Sequence, residues 1–330
     1  MEPALLKIEN LKTSFFTGNG EVQAVRGVSF DVHKGEILGI VGESGSGKSV
    51  TSMSILKLLA DTAKIKEGHI FFEGEDLVGF NKKKMQKIRG EESAMIFQDP
   101  MSSLNPLITV GKQVGEMIQI HHPEKKKDEI KKEVLKLFEM VRIPEPEKRY
   151  DAFPHEFSGG MRQRVMIAMA LCCNPQLLIC DEPTTALDVT IQAQILDLIN
   201  ELKEETGTSV MMITHDLGVI AEVADDVMVM YAGKVVEHAT CDQIFDEPLH
   251  PYTAGLMNCI PRLDGDDTKE LSVIEGMVPS FDDMPEGCAF CPRCPYAKEI
   301  CRKQMPELEE VNGRRVRCFK YMKGWEESAK

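Results

Sequence analysis

The sequence predicts an α/β fold, in which buried strands alternate with helices. The apolar run 37–41 leads into a glycine-rich loop and then into a segment of helical spacing from Val50 to Leu59. Two further apolar runs, 177–180 and 209–214, end at a pair of carboxylates and at a histidine, respectively. Short apolar runs bounded by turn residues are typical of strands buried in a sheet. We therefore place these three strands in one sheet, whose carboxyl edge is the expected position of a ligand.

Hydrophobic spacing assigns most of the remaining segments. Strands are predicted over residues 5–11, 22–32, 69–73, 94–97, 227–231 and 234–237. Helices are predicted over residues 82–91, 107–143 with a break near 121–123, 161–171, 191–202 and 242–258 with breaks at Pro248 and Pro251. Residues 261–285 are acidic and irregular in pattern, which favours a linker.

The glycine-rich loop reads GESGSGKS over residues 42–49 and lies between a buried strand and a helix. This context is that of a phosphate-binding P-loop. Its glycines let backbone N–H groups point at phosphate oxygens, and the helix that starts near Gly47 adds the positive end of its dipole. Lys48 is expected to reach the β- and γ-phosphates, and Ser49 to ligate Mg²⁺. The predicted nucleotide contacts are Gly42, Ser44, Gly45, Ser46, Gly47, Lys48, Ser49 and Val50.

Polar side chains follow the ends of the buried strands. Asp181 suits Mg²⁺, directly or through water, and Glu182 is placed to polarise a water towards the γ-phosphate. His215 follows the third strand at the same edge, where it is able to contact the γ-phosphate. Gln98 ends the short strand 94–97, and it either contacts Mg²⁺ or the attacking water, or caps a turn. Beside a P-loop, the Asp181-Glu182 pair is the expected Walker B partner.

A second glycine-led helix start lies at Ser158-Gly159-Gly160. Ser158 is a candidate N-cap, and the exposed N–H groups of a helix start are a potential anion site. Capping alone does not explain two consecutive glycines. Farther upstream, Phe15 is a candidate for stacking on an adenine ring, with packing under the sheet as the alternative.

Composition narrows the class of protein. The 330 residues suffice for one large domain or two ordinary ones. The net charge of −14 argues against a general nucleic-acid binder. No apolar run approaches the roughly 20 residues that cross a bilayer, and the first residues lack the pattern of a secretory signal. We therefore expect a cytosolic chain that is able to dock on a membrane protein.

The ordered set of motifs resembles the ATP-binding subunits of ABC transporters over roughly residues 4–240. The residues that carry this resemblance are Gly42–Ser49, Gln98, Ser158-Gly159-Gly160, Asp181-Glu182, Asp188 and His215. The chain is most similar to the ATPases of dipeptide and oligopeptide importers, a group that also includes nickel importers. This closer match rests on QDPMSSLNP (98–106), PHEFSGGMRQR (154–164) and PLHPYT (248–253).

The resemblance implies roles for individual residues. Phe15 takes the adenine-stacking position, Lys48, Ser49 and Gln98 serve the phosphates and Mg²⁺, Glu182 is the general base, and His215 holds the γ-phosphate. The Ser158–Gly160 turn and Asp188 belong to the nucleotide site as well, with the turn clasping ATP that is bound to an opposite subunit. Phe157 and Met161 replace the commonest Leu and Gln of this signature, as is common in the peptide-importer group. A working ATPase is therefore expected.

The same resemblance implies an architecture and partners. Residues 1–240 form an ABC ATP-binding domain with a RecA-like core, an antiparallel β subdomain and a helical subdomain at about 100–165. Residues 241–287 are an extension and linker, and 288–330 a small Cys-rich C-terminal domain. The implied partners are an identical or related ATPase chain in a head-to-tail dimer, two transmembrane permease subunits and an extracytoplasmic substrate-binding protein. The implied location is the cytoplasmic face of the cell membrane.

Five of the ten cysteines crowd into residues 288–318. Disulfides are disfavoured in the cytosol, so this cluster indicates metal or redox chemistry. Zinc sites usually show two close C-x₂-C pairs, whereas this segment has one C-x₂-C-x₂-C run that resembles part of a ferredoxin motif. Similarity to importer tails implies the ligands Cys288, Cys294, Cys301 and Cys318, with Cys291 left over. We favour a [4Fe–4S] cluster over zinc, and free thiols or disulfides are the remaining alternative.

Two other functions compete with peptide import. A non-transport ABC ATPase usually has tandem cassettes or a long coiled-coil insertion, and this sequence shows neither. A regulatory subunit that senses metal and binds ATP without hydrolysing it would not need Glu182. A nickel importer ATPase of the same group stays open as the closest alternative.

Overall fold

The structure is a computed structural model that describes residues 3–18, 20–99, 103–185, 187–259, 273–323 and 325. These residues form two compact units that interleave along the chain. The first unit is built mainly from residues 79–213, together with the short stretch 32–36. The second unit contains residues 4–31, 37–78 and the part from 214 onwards.

The strands and helices follow in chain order. The strands are β1 (Leu6–Thr17), β2 (Gly20–Val32), β3 (Ile37–Val41), β4 (Ala63–Phe72), β5 (Glu75–Asp76), β6 (Ser93–Ile96), β7 (Leu177–Asp181), β8 (Ser209–Ile213), β9 (Asp226–Tyr231), β10 (Lys234–Thr240), β11 (Glu309–Val311) and β12 (Arg314–Val316). The helices are α1 (Lys48–Ile55), α2 (Lys82–Ile88), α3 (Val110–His121), α4 (Lys127–Met140), α5 (Pro146–Tyr150), α6 (Gly159–Leu171), α7 (Val189–Thr206), α8 (Leu217–Val223), α9 (Cys241–Asp246), α10 (Pro251–Asn258) and α11 (Glu299–Lys303).

The first unit places three parallel strands beside a group of helices. β7 pairs with β6 on one side and with β8 on the other. Every residue of β7 and β8 is buried, as expected for parallel strands that are covered on both faces. Helices α3, α4 and α6 pack on one another within the unit. Their shared core contains Val114, Ile118, Val134, Phe138 and Ile167, all fully buried. These packed helices overlap the helical subdomain predicted at about 100–165, whose division from the rest of the chain remains a prediction.

The second unit contains two sheets. β1 lies between β2 and β4 in a four-stranded sheet that ends at β5, and β1 pairs with β4 in antiparallel register. In the other sheet, β3 pairs with β9 in parallel, and β10 and the β11–β12 hairpin continue it in antiparallel order. The first of these sheets has antiparallel pairing between β1 and β4 and between β4 and β5, while the division into subdomains remains a prediction.

Several boundaries differ from the sequence prediction for local reasons. Helix α1 stops at Ile55 instead of near Leu59, because Lys57 adopts a left-handed φ of 50°. Helix α7 is longer than predicted and runs from Val189 to a left-handed Gly207, a residue that favours a helix end. Strand β4 begins six residues before the predicted 69–73, since the polar residues of its first half pair with β1.

The Cys-rich tail is not separated as a compact unit of its own. Val316 on β12 pairs with Glu237 on β10, and the buried guanidinium of Arg317 donates to the Val235 and Pro306 carbonyls. The β12–β10 pairing and the bond to Val235 join the tail to the sheet of the second unit, and the bond to Pro306 lies within the tail. The proposed boundary at residue 288 remains a prediction, and most of the linker predicted over 261–285 lies outside the described residues.

Candidate nucleotide-binding site

The phosphate loop joins β3 to α1 within the second unit. Gly42 has φ 152°, and a Cβ there would lie 2.2 Å from the Met230 carbonyl oxygen. Gly47 caps α1 in a left-handed conformation, and its Cβ would lie 2.7 Å from the Ala24 carbonyl oxygen. Both positions therefore need glycine. The surrounding backbone fixes the curl of the loop before any ligand arrives.

Lys48 is the first residue of α1, and its side chain turns back onto the loop. Its Nζ donates to the Gly42 carbonyl at 2.6 Å and to the Glu43 carbonyl at 3.1 Å. The residue is only 5% exposed. The first turn of α1 carries no acidic side chain. Its N–H groups and the Lys48 ammonium therefore make the N-terminal end of the helix positive, which favours binding of an anion. Ser44 and Gly45 are exposed at the loop tip, and Ser49 and Val50 are half-buried.

Glu182 and Gln98 meet in the first unit, at the carboxyl ends of β7 and β6. The Gln98 Nε2 donates to the Glu182 Oε2 at 2.7 Å, and the Thr185 hydroxyl donates to the same oxygen at 3.0 Å. Glu182 has a left-handed φ of 50°, which costs roughly 1–3 kcal/mol in a non-glycine residue. Backbone strain of this kind is common at functional sites, where it holds a side chain in one orientation. Asp181 is 4% exposed at the last position of β7.

The Ser158–Gly160 turn begins helix α6, as predicted. The Ser158 Oγ accepts from the Met161 N–H at 3.3 Å, which confirms the N-cap. A Cβ on Gly160 would lie 2.7 Å from the Cγ2 of Ile191, whereas one on Gly159 would meet nothing closer than Leu187 Cδ2 at 3.8 Å. The fold of this chain thus explains Gly160 and leaves Gly159 without a packing reason.

The remaining predicted residues occupy strand and helix ends. Asp188 is exposed and caps α7, accepting from the Ile191 N–H at 2.9 Å. His215 is exposed in the segment that follows β8. Phe15 is half-buried on β1 opposite Ala63, while its neighbour Phe16 lies exposed beneath the ammonium groups of Lys64 and Lys66. The roles of these residues remain predictions.

Sequence reasoning missed one part of the phosphate loop's surroundings. The Glu43 carboxylate is paired with Arg293, and the Glu43 N–H donates to the Tyr252 hydroxyl at 2.8 Å. Arg293 follows Glu43 by 250 positions, so no local spacing could have indicated this contact. The available signals were the arginine between two predicted ligand cysteines and the tyrosine of the PLHPYT motif.

The clustered cysteines lie around one cavity of the second unit. Cys288, Cys291, Cys294, Cys301 and Cys318 all line this small cavity. All are free thiols. Burial raises the pKa of Cys288 to about 12 and that of Cys318 to about 11. Within the described part of the chain, no group of three or more His, Cys, Asp or Glu side chains is arranged to hold a metal ion.

Two family models match the chain. Residues 25–185 match the "ABC transporter" family, and residues 236–301 match "Oligopeptide/dipeptide transporter, C-terminal region". The structure also resembles a dimeric ATP-binding cassette, MJ0796, in a post-hydrolysis state bound to ADP and Pi. The TM-score is 0.65 at 28% identity, and the match covers 72% of this chain and 98% of that one. The fold and its site therefore define an ABC ATPase cassette.

Relatives narrow this class further. The oligopeptide transport ATP-binding protein AppD of Bacillus subtilis is 52% identical over 96% of this chain and 97% of its own length. OppD of the same organism, also an oligopeptide transport ATP-binding protein, is 54% identical over 97% of this chain and 88% of its own. The chain belongs to the family of oligopeptide and dipeptide transport ATP-binding proteins. Among the described residues, no helix is both long enough and apolar enough to span a bilayer.

Proposed function

We propose that this chain is the ATP-hydrolysing subunit that energises import of dipeptides or oligopeptides through an ABC transporter. The observation that carries this proposal is the identity of 52–54% to peptide transport ATP-binding proteins over nearly the whole chain. The formed phosphate loop and the Gln98–Glu182 pair are the geometry that such an activity needs. Nickel import within the same group is the alternative substrate class, and no feature of the described residues favours it.

Each predicted site residue has its own role in the binding or the hydrolysis of ATP. Lys48 and the N–H groups at the start of α1 bind the triphosphate, and Phe15 stacks on the adenine. Glu182 takes a proton from the attacking water, while Gln98 and His215 orient that water and the γ-phosphate. The oxygen donors Ser49, Asp181 and Gln98 suit Mg²⁺, which neutralises phosphate charge when bound.

Dimerisation completes the mechanism. The Ser158–Gly160 turn and Asp188 contact ATP bound to a second copy or a related ATPase, so that two nucleotides lie between two chains. Closure on ATP and opening after hydrolysis move two permease subunits, which receive peptides from an extracytoplasmic binding protein. The chain works at the cytoplasmic face of the membrane as a peripheral subunit.

The substitution Glu182→Gln tests the enzymatic assignment. The amide cannot accept the proton of the attacking water, so hydrolysis should fall at least 100-fold while ATP stays bound. In Mg²⁺ and ATP, this variant should elute from a sizing column as a dimer, whereas the wild type should not accumulate as one. Glu204→Gln, the same change on an exposed face of α7, is the control. Hydrolysis by E182Q at the wild-type rate would show that Glu182 is not the base.

The cysteine cavity is proposed to hold a [4Fe–4S] cluster, with zinc as the alternative. The five thiols surround a common space. Their single C-x₂-C-x₂-C run lacks the second close pair that is usual in Cys₄ zinc sites and resembles part of a ferredoxin motif, which is the reason for preferring the cluster. Cys288, Cys294, Cys301 and Cys318 would hold the cluster, which would knit the tail together without taking part in hydrolysis.

Metal analysis of anaerobically purified protein tests this assignment. Iron and sulfide near four of each per chain, with brown colour, are expected from the wild type. Cys294→Ser should lose most of the iron, and Cys291→Ser, at the left-over cysteine, should keep it. A colourless protein with stoichiometric zinc would instead establish the zinc alternative.

A further inference from the structure

The side chain of Arg293 lies on the phosphate loop, although it belongs to the Cys-rich tail. Its Nη1 donates to the Glu43 Oε2 at 2.7 Å and its Nη2 to the Oε1 at 3.1 Å. The Arg293 side chain is 4% exposed and that of Glu43 is 32% exposed. Two parallel bonds between a guanidinium and a carboxylate fix orientation as well as distance. The pair is therefore a built contact and not an incidental surface salt bridge.

The other donors of Arg293 are also used. Its Nε donates to the Glu275 carbonyl at 3.0 Å, its Nη2 to the Ile274 carbonyl at 3.1 Å, and its Nη1 to the Tyr231 hydroxyl at 3.4 Å. A guanidinium has five N–H donors, and all five have acceptors here. The arginine is thus held in place from several sides and cannot turn away from Glu43 without breaking these hydrogen bonds.

A second contact holds the backbone of the same loop residue. The Tyr252 hydroxyl accepts from the Glu43 N–H, and Tyr252 is fully buried. Its ring packs on Tyr231 and Phe290, with centroids 4.7 and 5.4 Å away. The side chain and the backbone of Glu43 are therefore both anchored by residues from outside the loop.

Electrostatics gives this anchoring a consequence for binding. The loop attracts a polyanion through N–H groups and Lys48, yet Glu43 places a negative charge in the same loop. A carboxylate without a counter-charge would repel the phosphates, and partial burial would weaken the screening of that repulsion. Arg293 supplies the counter-charge.

We propose that Arg293 is a positioning residue of the nucleotide site, which neutralises Glu43 and fixes the phosphate loop in its anion-binding form. This inference rests on the proposed function, namely that residues 42–49 bind the triphosphate of ATP. It assigns part of the affinity for ATP to a residue far outside the nucleotide-binding motifs.

A charge cycle on the full-length chain tests the proposal. The measurement is equilibrium binding of the non-hydrolysable analogue adenylyl imidodiphosphate with Mg²⁺, with thermal unfolding recorded for every variant. Arg293→Gln should weaken binding about tenfold, because Glu43 loses its counter-charge. The double variant E43Q/R293Q, in which a neutral pair replaces the ion pair, should return to within threefold of wild type. Arg302→Gln, at an exposed arginine of the same tail, is the control and should bind like wild type.

Recovery of binding in the double variant distinguishes an electrostatic role of Arg293 from a merely structural one. If Arg293 only stabilised the fold, the double variant would bind no better than R293Q. That result, or wild-type affinity in R293Q, would overturn the proposal. Should R293Q not yield folded protein, E43Q is compared with E43Q/R293Q. Because Arg293 acts through Glu43, the proposal predicts that these two variants bind with similar affinity, and tenfold weaker binding by the double variant would overturn it.

The variant Lys48→Ala distinguishes this inference from the proposed function. Loss of binding in K48A together with wild-type affinity in R293Q would contradict the proposed role of Arg293, while the ATPase assignment would still stand. Unchanged binding in K48A would remove the nucleotide site at residues 42–49, and the inference with it.

Discussion

At the scale of single residues, the two glycines of the Ser158–Gly160 turn have different reasons for being glycine. Gly160 faces the branched side chain of Ile191 within the same unit, so a methyl group there would be overpacked. Gly159 has room for a methyl group, and its backbone does not require the left-handed region. A glycine that its own fold does not need is expected where another molecule approaches the backbone closely.

Alanine substitutions should therefore separate the two positions. Gly159→Ala should leave the unfolding midpoint near that of wild type and lower ATP hydrolysis at least tenfold, because the methyl group stands between the helix start and the phosphate. Gly160→Ala should cost about 1–3 kcal/mol of stability through contact with Ile191. Thermal unfolding and steady-state ATPase assays on both variants check this. Wild-type hydrolysis by G159A would contradict the role of this turn.

Much of the residue-level site could be predicted from the sequence. The phosphate loop, the Ser158 cap and the strand-end carboxylates follow from local spacing, because each is a short motif whose parts are adjacent in the chain. The Glu43–Arg293 pair and the aromatic support of Tyr252 could not be predicted, since they depend on which distant segments the fold brings together. The ends of some helices and strands were predicted wrongly as well. Helix α1, for example, ends early because Lys57 has a left-handed backbone conformation, which a lysine in the sequence does not indicate.

At the scale of elements, strand β10 joins the Cys-rich tail to the sheet through β12. His238 on β10 pairs in register with Arg315 on β12 and is 8% exposed. Its Nε2 has no hydrogen-bond partner within the described residues. Burial, together with the positive charge of Arg315, lowers the pKa of His238 to about 4. The histidine is therefore neutral in the folded chain at neutral pH.

This burial predicts a loss of stability in mild acid. The unfolded chain binds a proton at His238 below about pH 6.5, whereas the folded chain does so only near pH 4. Stability should thus be unaffected above pH 7 and fall as the pH drops from about 6.5 to 4. The contribution of this group is about 2 kcal/mol at pH 5.

Denaturant unfolding at pH 7 and pH 5 measures the effect. His238→Met should lose less stability between these two pH values than the wild type does, by about 2 kcal/mol. Buried His250, whose pKa is lowered to about 3 by burial, should leave part of the dependence in place. His33→Met, at an exposed turn, is the matched control. Equal losses in H238M and wild type would contradict the prediction.

At the scale of the whole molecule, the chain is a family member whose tail is built into its second unit. The β12 strand, Arg317 and Arg293 each bond to residues that precede the tail by tens to hundreds of positions. The sequence suggested an appended Cys-rich domain, because the clustered cysteines and prolines stand out in composition. Composition carries no information about edge pairing, so the join between tail and sheet was not foreseen.

The ion pair between Glu43 and Arg293 also orders events during synthesis. A ribosome adds Arg293 250 residues after Glu43, which takes about 12 to 50 s at typical elongation rates. Throughout that interval the nascent chain contains residues 42–49, but the Glu43 carboxylate cannot yet pair with Arg293. If Arg293 acts on the loop as proposed, a chain that ends before residue 293 should bind ATP more weakly than the full-length chain.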